Sequence, residues 1–239
     1  DWSSDVCSSD LDLFRESLAS SPMGRGYSAI VAALLLAVCA QAEAASFTVA
    51  ISDQDGNPVA NAVVALVPDS KTALPATSTR LAADKTIDQK NETFLPLVTI
   101  VPKGGRVTFA NSDQTTHQVY SFSAIKQFEI TLARGAVSAP FTFENPGVAA
   151  LGCNIHDHMI AYVFVADGPW TALSGADGTV VFPDIPAGDY QMQVWHPRLP
   201  PGRKPPVTAV SLTTASAKLP ATLRLMAPPA MSHSHAGSY

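Results

Sequence analysis

Residues 152–159 read GCNIHDHM and place three side chains of metal-binding type on one short segment. The segment follows one predicted strand and leads into another, so Cys153, His156 and Met159 are expected to share a tight loop. A thiolate, an imidazole nitrogen and a thioether form the donor set of a mononuclear copper site that cycles between Cu(I) and Cu(II). The fourth ligand must come from elsewhere, and His117 is the candidate because it stands at the mouth of another predicted strand.

His158 leaves a second ligand set open. With His117, Cys153 and His156 it would form a closed Cys-His set suited to tetrahedral zinc. Adjacent side chains of an extended chain point in opposite directions, so only one of His158 and Met159 is expected to face the metal.

These residues also have ordinary structural interpretations. A lone cysteine or methionine in a sandwich usually packs in the core, and Cys153 with His156 could form a nucleophilic pair. The nucleophilic interpretation lacks an evident orienting Asn or Asp and a substrate cleft. Asn111 and Asp113 are interpreted as turn formers, with tying the His117 loop to the Cys153 loop as a second role.

The N-terminal part of the chain predicts export. Residues 1–22 are interpreted as adapter-derived or as upstream translation. A basic residue, a short apolar run and small residues then follow Met23, so that residues 23–45 are expected to be a signal peptide. The apolar run is too short to cross a bilayer, which needs about 20 residues. Of the three cysteines, Cys7 and Cys39 fall in these segments, leaving Cys153 as a single thiol in an oxidising compartment.

Composition excludes some function classes. The formal net charge is -5, and the Lys and Arg residues are scattered, so nucleic acid is not an expected partner. No integral membrane span is expected after processing. The chain has 19 prolines and 14 glycines between short β-rich runs, which favours an all-β fold.

The strand pattern predicts two sandwiches. Within residues 80–166 a strand recurs about every eight to twelve residues, which is the spacing of a sandwich. Residues 46–70 and 168–228 carry alternating strands around turns such as Asp177-Gly178. The polar stretch from Pro68 to Lys90 is interpreted as a linker. The tail, residues 229–239, contains His233 and His235 and is expected to be disordered.

The central segment resembles a known family. The spacing Cys153-x-x-His156-x-x-Met159, the upstream His117-Gln118-Val119 and the run PKGGRVTFANSD at 102–113 are similar to the blue-copper cupredoxins, in particular amicyanin and plastocyanin. The resemblance covers residues 89–165. VYSFS at 119–123 and GCNIHD at 152–157 further resemble the secreted plastocyanin-like proteins often labelled methylamine utilization proteins. Residues 46–70 and 168–228 resemble the two halves of a carboxypeptidase regulatory-like, transthyretin-type sandwich, which implies one domain that the middle domain interrupts.

The resemblance implies an all-β, Greek-key cupredoxin sandwich inserted in or beside a second small transthyretin-like sandwich. It implies that His117, Cys153 and His156 form the plane of one mononuclear copper site and that Met159 is the weak axial ligand. Gly152 stands where relatives have an aromatic residue before the cysteine.

The implied function is that of a periplasmic or secreted electron carrier. Its partners would be redox proteins, and it would not act as an enzyme. Two other functions stay open: a protein that binds or stores copper without a redox partner, and a structural or adhesive sandwich stabilised by its metal, with zinc as an option.

Overall fold

The computed structural model describes residues 46–70, 72 and 81–228. The expected adapter-derived segment, signal peptide and C-terminal tail lie outside these residues, as do Cys7, Cys39, His233 and His235.

The described residues form sixteen β-strands and no α-helix, which confirms the predicted all-β class. Accordingly, these residues include no helix long and apolar enough to cross a membrane. The strands are β1 (Phe47–Asp53), β2 (Val63–Pro68), β3 (Asp84–Gln89), β4 (Phe94–Leu95), β5 (Val98–Pro102), β6 (Gly105–Asn111), β7 (His117–Ser123), β8 (Lys126–Leu132), β9 (Phe141–Phe143), β10 (Gly147–Gly152), β11 (Ile160–Ala166), β12 (Trp170–Leu173), β13 (Thr179–Phe182), β14 (Gly188–Trp195), β15 (Val207–Leu212) and β16 (Ala217–Leu223).

The central strands form two sheets around one core. A five-stranded sheet has the order β5-β11-β10-β7-β8, and a four-stranded sheet has the order β4-β3-β6-β9. Alternate residues of these strands point inward, so that Phe109 of β6 and Val119 of β7 share a buried cluster with Leu151 of β10. Cys153 and Met159 belong to the same cluster.

Strand β3 corrects the predicted linker. Residues 84–89 lie inside the Pro68 to Lys90 stretch, yet they pair in parallel with β6 and antiparallel with β4. Only Ile87 and Gln89 of this strand are buried, which explains why it carries little apolar alternation. The Nε2 amide of Gln89 donates a hydrogen bond to the carbonyl of Ala110 at 3.1 Å, whereas its buried Oε1 has no hydrogen-bond partner among the described residues.

The flanking strands form two further sheets, ordered β13-β1-β16 and β12-β2-β14-β15. Strand β1 pairs antiparallel with β13 and parallel with β16, while β2 pairs with β12 and β14. Strands from before and after the central sheets thus share both flanking sheets. Phe47, Leu66 and Tyr190 are among the side chains of their common core.

Strand β2 is buried on both faces because the two pairs of sheets meet there. Val64 and Leu66 point into the flanking core, whereas Val63 and Ala65 pack with Phe164 of β11. The Trp195 ring adds aromatic contact, with its centroid 5.8 Å from that of Phe164. A strand covered on both faces loses the apolar-polar alternation of a half-exposed strand.

His196 is a buried histidine that follows β14. Its Nδ1 accepts a hydrogen bond from the backbone N–H of Arg198 at 3.0 Å. Burial, together with the positive charge of Arg198, lowers the pKa of His196 to about 4 against a hydrogen bond with Ala60 that raises it. The folded protein therefore holds this imidazole neutral at pH values where the unfolded chain would protonate it.

We expect the free energy of unfolding to fall as the pH is lowered from about 6.5 towards 4, because the unfolded state then binds the extra proton. The contribution of His196 to this loss is roughly 2 kcal/mol between pH 7 and pH 4.5. His196→Asn keeps an acceptor for the Arg198 amide but does not titrate. Urea unfolding at both pH values should show a smaller loss in the variant, and equal losses in the two proteins would contradict the assignment.

Candidate metal centre

Three of the predicted site residues meet at one end of the central sheets. One ligating atom from each of His117, Cys153 and His156 lies within 4.8 Å of the others. The Cys153 Sγ is 3.8 Å from Nδ1 of His117 and 4.0 Å from Nδ1 of His156. Both imidazoles therefore face the thiol through the same ring nitrogen.

The strand arrangement explains this meeting. His117 is the first residue of β7 and points inward with Val119. Strand β10 pairs with β7 through Gly152 and Tyr120, so that Cys153 emerges beside the His117 strand. The amide of Met159 then donates to the carbonyl of His156 at 2.9 Å, which turns the loop back into β11.

Met159 and His158 take opposite environments, as adjacent residues should. The Met159 side chain is buried in the core cluster that contains Cys153. The His158 side chain is 61% exposed, and its Nε2 lies 3.8 Å from Oε2 of Glu92. Among the described residues, His158 does not belong to the group of ligating atoms formed by His117, Cys153 and His156. The role of Met159 as axial ligand stays a prediction.

Asp113 holds the buried ligand His117. Its Oδ2 lies 2.8 Å from Nε2 of His117, on the side of the ring away from Cys153. Burial is the largest single influence on the pKa of Asp113 and raises it, but hydrogen bonds from Glu92, His117 and Asn91 together lower the pKa below its usual value. An ionised Asp113 accepts a hydrogen bond from the Nε2–H group of His117 and so leaves the Nδ1 lone pair free, the arrangement known to orient metal-bound histidines.

The role of Asp113 was only partly predictable from the sequence. Asn111 is the turn former, because its Oδ1 accepts a hydrogen bond from the backbone N–H of Asp113 at 3.0 Å. The carboxylate of Asp113 instead accepts hydrogen bonds from the distant backbone N–H groups of Asn91 and Glu92. Its contact with His117 is signalled only by a spacing of four residues, which has no fixed meaning in a loop.

Tyr120 supplies an aromatic ring beside Gly152. A Cβ atom at Gly152 would lie 2.5 Å from Cζ and Oη of Tyr120, so the ring lies directly over the glycine backbone. Tyr120 reaches this position because it pairs with Gly152 across the sheet. Only glycine leaves room for this contact.

The donor set fits a metal ion. Cys153 is a free thiol, 2% exposed, and lies between two imidazole nitrogens. One thiolate with two imidazoles, beside a buried thioether, matches the ligands that select copper in trigonal sites. The cluster is therefore suited to binding one copper ion.

We expect Gly152→Ala to destabilise the metal-free protein by about 1–3 kcal/mol, because the new methyl group must displace a packed ring. In a Tyr120→Ala background the same substitution should cost less, since the obstructing ring is gone. Urea unfolding of the four proteins gives the coupling energy. A cost for Gly152→Ala that is the same in both backgrounds would show that Tyr120 is not the obstacle.

Asp113→Asn should weaken copper binding by roughly 10- to 100-fold, the usual loss when the hydrogen-bond partner of a metal-bound histidine is changed. Competition with a chromophoric Cu(I) chelator measures this affinity. Asp177→Asn is the matched control, because Asp177 is also a turn carboxylate with a lowered pKa but bonds to Thr179. Equal affinities for both variants and the parent protein would rule out the role assigned to Asp113.

Comparison with models of protein families gave no match, and neither did comparison with curated proteins. Solved structures similar to part of the chain include a cupredoxin, amicyanin and a Cu-containing nitrite reductase. The chain is 25% identical to a novel purple cupredoxin from Nitrosopumilus maritimus, over 35% of this chain and 100% of that one, with a TM-score of 0.32. The identity to a mutant of amicyanin in the Cu(I) form is 18%, over 40% of this chain and 99% of that one, with a TM-score of 0.31. The identity to a Cu-containing nitrite reductase from Thermus scotoductus SA-01 is 22%, over 50% of this chain and 28% of that one, with a TM-score of 0.33.

Proposed function

We propose that this chain is an exported cupredoxin of the amicyanin and plastocyanin kind that carries single electrons between redox proteins. In this proposal His117, Cys153, His156 and Met159 would hold one copper ion, which would supply one-electron chemistry. The observation that carries the proposal is the buried thiol of Cys153 facing two imidazole Nδ1 atoms. No bond of a substrate is made or broken.

The protein's own residues prepare the site for this task. Copper bound there would supply one-electron exchange between Cu(I) and Cu(II). Burial of Cys153 keeps the thiol from solvent and from other thiols, and Asp113 holds the ring of His117 from behind. Ligands that are already in position need little rearrangement when the charge of the site changes, which favours fast exchange.

Exposure of the ligands favours His156 as the route to a partner. The His117 side chain is fully buried, whereas that of His156 is 19% exposed. A partner protein that docks over this end could therefore approach the site through the His156 ring.

We further propose that residues 80–166 are the cupredoxin domain and that residues 46–70 and 168–228 form one regulatory-like sandwich around it. The pairing of β1 and β2 with strands from β12 onward supports this division. The sequence of residues 23–45 supports a signal peptide and a periplasmic or secreted location.

The test is the absorption and EPR spectrum of the chain expressed from Ala45 and loaded with Cu(II). We expect an intense visible band from thiolate-to-copper charge transfer that vanishes on reduction and returns on oxidation. Cys153→Ala should lack the band, because it removes the thiolate. His158→Ala is the control for a neighbouring histidine and should keep it.

Two outcomes would count against an electron carrier. The first is a colourless protein that prefers zinc, and the second is copper binding that is indifferent to Cys153. A band that does not vanish on reduction and return on oxidation of the copper would favour copper binding or storage without a redox partner.

A further inference from the structure

The turn between β3 and β4 reaches the metal centre from a third part of the chain. Its two central residues, Asn91 and Glu92, both have a φ of 51°. Two consecutive left-handed residues are what a two-residue hairpin turn needs, and glycine usually fills at least one of these positions. Glutamate at the second position is strained, so other contacts must hold it there.

Those contacts come from Asp113. Its carboxylate accepts hydrogen bonds from the backbone N–H groups of Asn91 and Glu92, the latter at 2.9 Å. The same carboxylate contacts Nε2 of His117 at 2.8 Å. One ionised group thus holds both a candidate ligand and the strained turn.

The position of the turn directs the side chain of Glu92 over the exposed edge of the site. Oε1 of Glu92 lies 3.6 Å from Nε2 of His156, and Oε2 lies 3.8 Å from Nε2 of His158. The other ring nitrogen of His156 faces the thiol of Cys153 at 4.0 Å. Both candidate histidine ligands therefore have a carboxylate behind Nε2 and the thiol in front of Nδ1.

We propose that Glu92 is a positioning residue for His156. Its carboxylate favours the imidazole tautomer that carries the proton on Nε2, so that the Nδ1 lone pair faces the thiol and is free to bind a metal. Its negative charge also favours the more positively charged Cu(II) form over Cu(I). This second effect rests on the proposed function, whereas the tautomer is a property of the metal-free protein.

The magnitude of the charge effect follows from exposure. The Glu92 side chain is 54% exposed, so water and salt screen its charge. A screened unit charge near a site changes the relative affinity for Cu(II) and Cu(I) by roughly 2- to 5-fold. The effect on the tautomer is short-range, because Oε1 of Glu92 lies 3.6 Å from Nε2 of His156.

The test compares Glu92→Gln with Glu144→Gln. Both substitutions remove one negative charge from an exposed position. Glu144 follows Phe143, which pairs with Gly105 at the start of β6, whereas the metal centre lies near Asn111 at its end. Six residue steps of strand, about 20 Å, separate these two ends of β6, so only Glu92 is close to the site.

The first readout is long-range ¹H–¹⁵N NMR of the metal-free proteins at pH 8, which reports the tautomer of His156. We expect the Nε2-protonated form to predominate in the parent protein and in Glu144→Gln, and to lose population in Glu92→Gln. The second readout is the reduction potential of the copper-loaded proteins. It should rise in Glu92→Gln by an amount equivalent to the 2- to 5-fold change in relative affinity, and rise less in Glu144→Gln.

The two readouts separate the two proposals. An unchanged tautomer in Glu92→Gln overturns the positioning role, whatever the protein does with copper. Equal potentials in the two variants overturn the charge effect. A tautomer that responds to Glu92→Gln in a protein without a reversible copper couple supports the positioning role and defeats the electron-carrier function.

Discussion

The hydrogen bonds of Asp113 join the turn between β3 and β4 to the buried ring of His117. Its carboxylate accepts hydrogen bonds from the ring of His117 and from the backbone N–H groups of Asn91 and Glu92. The Asp113 side chain is 12% exposed, and these hydrogen bonds compensate its carboxylate for the water lost on folding. The turn, the loop before β7 and the ring of His117 must therefore adopt their positions together. A displacement of any one of them would remove a hydrogen bond from the charged carboxylate of Asp113, which costs free energy.

The surrounding sandwich sorts the site residues by accessibility. The inward faces of β7 and β10 bury His117 and the thiol of Cys153, while the loop that follows lifts His156 to the surface. His117 and Cys153 are thus shielded from solvent, whereas His156 of the same cluster is accessible from the surface. Tyr120 contributes on the outer side, where its ring covers the backbone of Gly152 just before the thiol.

Local properties of the chain predicted the all-β class and singled out the three side chains that the structure brings together, because alternation and donor chemistry are visible in short segments. Strand β3 was missed because only Ile87 and Gln89 face the core. The contacts of Tyr120 and Glu92 were beyond a single sequence for another reason. The first depends on the cross-strand register, and the second depends on left-handed backbone at residues that seldom adopt it.

Strand β2 covers part of the five-stranded central sheet, so the central sheets without the flanking strands would have a different surface. Val98, Phe164 and Ala166 are covered by Val63 and Ala65, with Trp195 packed at the edge. Removing the flanking strands would leave this part of the five-stranded sheet as a contiguous apolar surface, and such surfaces drive self-association in water. The solubility of the central sheets thus depends on the flanking strands, which act as an intramolecular cover.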